Sequence, residues 1–319
     1  MSWSKFVANP EISVVVTVVE GEPALSRCLE ALARQEDAPT LEVIIPYDDT
    51  ILEVAELKTR FPQFVFLSLG ALIPPGTKFD PFVEHELFDR RRSEGLAIAK
   101  GDLLAILEDR GAPRPDWARA MAKAHAEAGE KVAVIGGAVI NVAPGPMARA
   151  LFICDYGRYA PPLPVGEAEY VTDINICYRR SALESVRDLW IHRYQETVVN
   201  WTLRDRGLQL ILSPEPVVLH LRGAAPLART LSERFQWGRV FGIQRGARWT
   251  YAKAAAAAAA GLVLPLVLLL RQTRALKAKG ASTGEVLGAI PSLMLILPAW
   301  SFGEAIGYLQ GAGKGAPPH

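Results

Sequence analysis

The sequence predicts an α/β fold: an open, mostly parallel sheet flanked by helices. Three observations predict it. Glu11–Val19 (EISVVVTVV) is a continuous apolar, β-branched run, the pattern of a strand buried on both faces. Runs of this kind alternate with amphipathic segments through the first 250 residues. Acidic pairs close the second and fourth strands, at the edge where such sheets receive ligands.

The elements follow in order. After the first strand, Pro23 opens a helix whose Leu25, Cys28, Leu29 and Leu32 recur at i, i+3, i+4 and i+7 and so share one face. LEVIIPYDD is the second strand and FVFLSLG the third. PFVEHELFDRRRSEGLAIAKG is a long helical segment leading to the strand DLLAIL. PDWARAMAKAHAEAG is a helix again, with Pro115 and Asp116 at its start, and KVAVIGGAVI returns to strand. Asp48 and Asp49 end strand two; Glu108 and Asp109 end strand four. Four carboxylates at one sheet edge repel one another unless a cation, a divalent metal or a polar ligand offsets them. The competing reading makes each pair a solvated turn or a helix cap.

Composition narrows the class. The 319 residues suffice for one large domain or two modest ones. A formal charge of +1 gives no basic excess, so nucleic acid is not an expected partner. Cys28, Cys154 and Cys177 stand in no CxxC spacing, which argues against a disulfide framework or a structural zinc site. MSWSKFVANP holds one lysine and no apolar stretch, so no secretory leader is expected and the globular part is expected in the cytoplasm.

The order of motifs resembles the family 2 glycosyltransferases, which use the nucleotide-diphospho-sugar fold called GT-A. ISVVVTVVEGEPALSRCLEALARQ is similar to that family's first strand and helix, and VIIPYDD to its second strand. RRRSEGLAIAKGDLLAILEDRGAPRPDW resembles the stretch in which a helix with Arg, Gly and Ala leads to an acidic metal motif. YVTDINICYRRSALE resembles the segment around an Asn and paired Arg on the acceptor side. YQETVVNWTLRDRGLQLILSPEPVVLHLR resembles the segment carrying the catalytic acid and a late histidine. The likeness covers about residues 11–245 and rests on five motifs in order, none specific alone. The usual Asp-x-Asp stands here as Glu108-Asp109-Arg110, and the usual Glu-Asp before the late helix as Gln195-Glu196.

The resemblance implies a set of roles. Mg²⁺ or Mn²⁺ would steady the leaving diphosphate, with Asp109 as ligand and His220 on the metal side. Glu196 would take the acceptor's proton, and a single base without a carboxylate nucleophile implies inversion. Thr17, Glu20 and Glu108 would line the nucleotide, Asp48 would accept from a base N–H, and Arg92 would reach the diphosphate. Each has a plainer alternative: a structural histidine, a first-turn acid favoured by the helix dipole, an exposed basic helix face. Arg110 either brings positive charge to the diphosphate or pairs with Glu108.

The C-terminal quarter is rich in Ala, Leu and Gly. RTLSERFQWGRVFGIQRG mixes aromatics and arginines and reads as an interfacial helix, with Phe235, Trp237, Val240 and Phe241 toward lipid. Ala254–Leu270 and Val286–Gly303 are uncharged runs at the short end of a bilayer span, and the short basic link between them suggests a membrane hairpin. A soluble helical subdomain is the alternative. The expected domains are a catalytic domain over 1–228, an interfacial segment over 229–250 and the hairpin over 251–319. The expected function is an inverting transferase at the inner membrane, with its catalytic domain facing the cytoplasm. It would move a sugar from a nucleoside diphosphate sugar, UDP-linked, to a lipid-linked or envelope glycan. The alternatives are a sugar nucleotidyltransferase and a membrane-anchored assembly protein with a degenerate site.

Overall fold

The computed structural model describes residues 9–74, 76–77, 80–223 and 225–313, so the N-terminal stretch read for a leader lies mostly outside it. Strand β1 (Ile12–Thr17), helix α1 (Ala24–Ala33), β2 (Leu41–Tyr47), α2 (Val54–Arg60) and β3 (Val65–Ser68) open the chain. Helix α3 (Pro81–Ile98) leads to β4 (Leu103–Glu108) and a short β5 (Gly111–Pro113). Next come α4 (Trp117–Glu127), β6 (Val132–Asn141), α5 (Pro146–Tyr156) and β7 (Gly166–Glu167). After them run β8 (Asn175–Arg179), α6 (Arg180–Glu184), α7 (Glu196–Asp205) and β9 (Gln209–His220). Four helices end the described chain: α8 (Leu227–Gly246), α9 (Tyr251–Ala260), α10 (Leu264–Ala278) and α11 (Thr283–Gly311).

The chain forms two compact units, one of residues 1–77, 87–140 and 163–221, the other of 78–86, 141–162 and 222–319. The first holds the sheet, in the order β3-β2-β1-β4-β8-β6-β9-β5, with β7 beside β9. The sheet is mixed rather than mostly parallel. Pairs β1–β2, β1–β4 and β2–β3 are parallel, whereas β4–β8, β6–β8, β5–β9 and β7–β9 are antiparallel. A strand covered on both faces shows the same unbroken apolar run in either direction, so the sequence does not carry its polarity. Strand order reverses between β1 and β4, where Thr17 lies opposite Glu108 in register. That reversal opens a crevice at the carboxyl ends of the strands.

The core of this unit packs Val15, Ile44, Leu104, Ile106 and Ile176 against Trp190, Val199 and Leu203. Gly95 lets α3 lie directly on the sheet: a Cβ there would come within 2.5 Å of Val15 and 2.7 Å of Pro46. The Asn and paired Arg expected on an acceptor side are fasteners instead. Asn175 donates to the Ala138 and Pro216 carbonyls, at 2.9 and 3.0 Å, and accepts from the Trp117 indole at 2.9 Å. Arg179 donates to the carbonyls of His125 and Val132, and Arg180 to those of Ala99 and Gly101. Both arginines thereby satisfy carbonyls at or just past helix C-termini, and Arg179 also the first carbonyl of β6.

In the second unit, α5, α10 and α11 share a core of Leu151, Ile153, Leu268, Leu293 and Ile296. Helices α8 and α11 approach through two rows of glycine, Gly238, Gly242 and Gly246 against Gly303, Gly307 and Gly311. Of the four side chains expected to face lipid from α8, Val240 is buried, and half-buried Phe235 and Phe241 meet Phe302 and Trp300, each pair 5.9 Å apart. Trp237 lies beneath the Arg234 guanidinium, 4.4 Å from ring centre to charge. Nor is Ala254–Leu270 one rod. It divides into α9 and α10, bent by 70° at the break. Among the described residues one helix, the 29-residue α11, is long and apolar enough to cross a membrane, by length and composition, and the bent α9–α10 pair passes the same test only if taken as one span.

Candidate functional site

The acids after β1, β2 and β4 do converge, and buried arginines bind them. Helix α3 supplies two adjacent ones. Arg91 donates from Nε to Asp48, at 3.0 Å, and also to the Val18 carbonyl and, at 2.9 Å, to the Thr50 hydroxyl. Asp48 accepts in addition from Thr50 N–H at 2.8 Å, closing an Asx turn after β2. The carboxylate expected to meet a nucleotide base is therefore committed to its own turn and to Arg91.

Arg92 is only 3% exposed and gathers three acids. Its Nη2 lies 2.9 Å from Glu108 Oε1 and 2.6 Å from Asp173 Oδ2, and its Nη1 3.4 Å from Asp89 Oδ1. Those acids, with Glu196, hold the guanidinium firmly protonated despite its burial. Burial, then Asp173, pushes the Glu108 carboxyl well above the ordinary carboxylate range. Arg92 is thus neither a solvated helix face nor a free diphosphate ligand. Asp89, Arg91 and Asp173 were missed by sequence reasoning. The signal for Asp173, an acid directly before the strand DINICYRR, was visible. The burial of Asp89 and Arg91 inside a polar-looking helix was not.

Asp109 has a different neighbourhood. Its carboxylate accepts the backbone N–H groups of Val19, Glu20 and Gly21, at 3.0, 2.9 and 2.8 Å. It therefore shapes the loop after β1. Burial raises its pKa to about 6, against the pull of those N–H groups and of Arg110. Arg110 pairs with Glu20, Nε to Oε1 at 3.0 Å, and its charge also acts on Glu108. Thr17 keeps a buried hydroxyl that has no hydrogen-bond partner, in register opposite Glu108. His220 ends β9 opposite Gly111, and Leu221 N–H donates to the Arg110 carbonyl at 2.9 Å. The histidine thus stands buried beside the acidic motif.

Glu196 opens α7, half-buried, and its charge is felt by Arg92, Tyr178 and Tyr194. Tyr178 bonds Tyr194 at 2.6 Å and Asn200 at 3.0 Å, which fixes the first turn of α7 against β8. Gln195 reaches Asp89 at 3.4 Å, so the residue before Glu196 is anchored to the same cluster.

Among the described residues no three His, Cys, Asp or Glu side chains group as ligands. Glu108 is engaged by Arg92, Asp109 by three backbone donors, and the position of a second acid is held by Arg110. Asp109 and His220 can supply only part of a hard cation's shell; Mg²⁺ takes one or two carboxylates and completes its six ligands with substrate phosphates and water.

Comparison with known proteins adds four findings. The family model described as glycosyl transferase family 2 matches residues 13–187. The mannosyltransferase PcManGT from Pyrobaculum calidifontis, solved with GDP-Man and Mn²⁺, is similar at TM-score 0.50 and 16% identity, over 93% of this chain and 88% of that one. TarS 1–349 from S. aureus, solved with UDP-GlcNAc, is similar at TM-score 0.47 and 12% identity, over 73% and 66%. No curated protein matches the sequence.

Proposed function

Because the chain belongs to glycosyl transferase family 2 and carries its GT-A fold, we propose that it is an inverting transferase that moves a sugar from a UDP-sugar to a lipid-linked or envelope glycan at the inner membrane. The observation that carries this reading is the placement of Glu196 beside the Arg92, Glu108 and Asp173 cluster at the strand-order reversal. Ligands of open α/β sheets enter at that place.

The mechanism uses this chain's own groups. Glu196, half-buried at the start of a helix held by Tyr178 and Tyr194, takes the proton of the acceptor hydroxyl as it attacks the anomeric carbon. A single carboxylate acting as base gives inversion. The loop Val18–Gly21, shaped by Asp109, presents Glu20 to the nucleoside, and the buried Thr17 hydroxyl sits at the end of β1 that leads into it. Arg110, on the same edge, faces the charge that develops on the leaving diphosphate. Mg²⁺ or Mn²⁺, where bound, would be held with Asp109 and His220 as candidate protein ligands and would supply Lewis-acid charge at that diphosphate.

Membership in the family sets aside the sugar nucleotidyltransferase. The test is turnover across UDP- and GDP-sugars with a polyprenyl-linked glycan as acceptor. Wild type consumes one donor class and yields the inverted anomer. Glu196→Gln loses turnover by about 10²–10⁴-fold yet still binds the nucleotide. No turnover of any donor by wild type would leave an assembly protein with a degenerate site.

A further inference from the structure

The helical unit carries a feature that sugar transfer does not explain. The elbow joining α9 to α10 exposes Leu262 at 90%, Leu266 at 61% and Val263 at 60%, with Val267 and Leu270 following. Directly after them α10 exposes Arg271, Arg274 and Lys277. From Tyr251 to Thr283 the sequence holds five cations and no acid. An apolar tip with a purely basic rim complements a lipid surface that bears anionic headgroups.

Length and packing decide how such a surface is met. The ten residues of α9 and the apolar start of α10, Leu264–Leu270, are about 15 and 10 Å long, and a 70° bend separates the helices. Neither reaches the roughly 30 Å of a hydrocarbon core. The 29 residues of α11 would reach it, but α11 is committed to α8. The two helices lie side by side with numbers rising together, Gly238 at Trp300, Gly242 at Glu304 and Gly246 at Tyr308. Along that seam Arg239 donates to Gln310 at 2.7 Å, and Arg245 lies 4.0 Å from the buried Glu304. A bilayer crossed by α11 would take in Arg239, whose backbone lies against Gly303. Charged side chains at that depth are strongly disfavoured.

We propose that the helical unit docks on an anionic bilayer from one side only, through the α9–α10 elbow, and that α11, which packs one face into this unit and exposes Leu287, Met294 and Phe302 on the other, does not span it. The elbow sinks Leu262, Val263 and Leu266 into the acyl boundary, and Arg271, Arg274 and Lys277 meet phosphates. This mode of attachment stands whether or not the sugar-transfer reading does.

Two experiments on the full-length protein test it. In flotation with vesicles of phosphatidylcholine and phosphatidylglycerol, wild type binds. Leu262→Glu with Leu266→Glu lowers binding at least tenfold, with unchanged circular dichroism, because neither side chain is buried. Vesicles of phosphatidylcholine alone bind weakly. In membranes from expressing cells, protease-cleavable tags at the N-terminus, after Gly280 and at the C-terminus are all cut by protease added on one side. Protection of either the Gly280 tag or the C-terminal tag while the N-terminal tag is cut would show a crossing and overturn the proposal. So would vesicle binding that ignores the Leu262/Leu266 change, or an elbow covered by a second copy of the chain, seen as a dimer that the same change dissolves.

Discussion

Arg92 Nη2 stands 2.9 Å from Glu108 Oε1, and the pair is almost wholly removed from water at the end of β4. The same nitrogen holds Asp173, so one guanidinium keeps two buried carboxylates compatible. Arg92→Met leaves them facing each other without a cation, and removing one partner of a buried ion pair costs about 3–5 kcal/mol. The expected result is a lower urea midpoint for Arg92→Met, partly restored by adding Glu108→Gln. The difference from additivity is about 0.5–3 kcal/mol in a double-mutant cycle. Additive effects would mean the two groups do not act as a pair.

A buried histidine sets one limb of the pH dependence. His125 on α4 contacts the Cys177 carbonyl through Nε2 at 3.1 Å, and burial, with Arg179 nearby, lowers its pKa from 6.5 to about 4. The folded state keeps the ring neutral while the unfolded chain binds a proton. This stability is therefore complete above pH 6.5 and is lost as pH falls toward 4. A shift of that size corresponds to about 3 kcal/mol. Asp109, raised to about 6, works with the opposite sign: its contribution is complete below pH 3.8 and is lost as pH rises toward 6. The wild-type profile mixes the two, so the readout is the stability gap between wild type and His125→Gln. That gap should narrow by about 3 kcal/mol from pH 6.5 to 4, and a gap constant with pH would contradict a neutral buried ring.

The limits of sequence reading are physical. Strands β1, β2, β4 and β6 were legible because burial on both faces demands unbroken apolar runs. The acidic edge was legible because strand ends place side chains regardless of what surrounds them. The partners of those acids were not, because α3 turns Asp89, Arg91 and Arg92 inward on a helix that is polar on every side. No periodicity distinguishes that face from a solvated one. Residue type alone did not show that the Asp109 carboxylate accepts three backbone N–H groups. Glycine at every fourth position of α8 and α11 was present in the sequence, but aromatics and arginines on α8 drew the reading toward lipid.

Arg110 and a metal ion make different predictions for donor binding. A hydrogen bond to a charged group contributes about 1.5–3 kcal/mol, so Arg110→Ala should weaken UDP binding by about tenfold to a hundredfold in calorimetry. EDTA should change wild-type UDP affinity little, since Asp109 is held by three backbone donors. Affinity lost in EDTA but kept in Arg110→Ala would instead assign the diphosphate to a cation held between protein and donor.

The seam between α8 and α11 should tolerate no side chain. A Cβ at Gly242 would overlap the Glu304 carbonyl oxygen and lie 3.0 Å from the Gly307 Cα, so both obstacles are backbone. Backbone cannot swing away as a side-chain tip can, and Gly242→Ala must force the helices apart. Overpacking of this kind costs about 1–3 kcal/mol, beyond the gain that alanine brings to a helix. Gly288, on the exposed side of the same α11, has nothing within 4 Å of a new Cβ. Gly288→Ala should therefore keep only the helix gain, up to about 1 kcal/mol. Thermal melts should show Gly242→Ala below wild type and Gly288→Ala at or above it. Equal losses at both positions would mean that glycine serves α11 through flexibility rather than through its contact with α8.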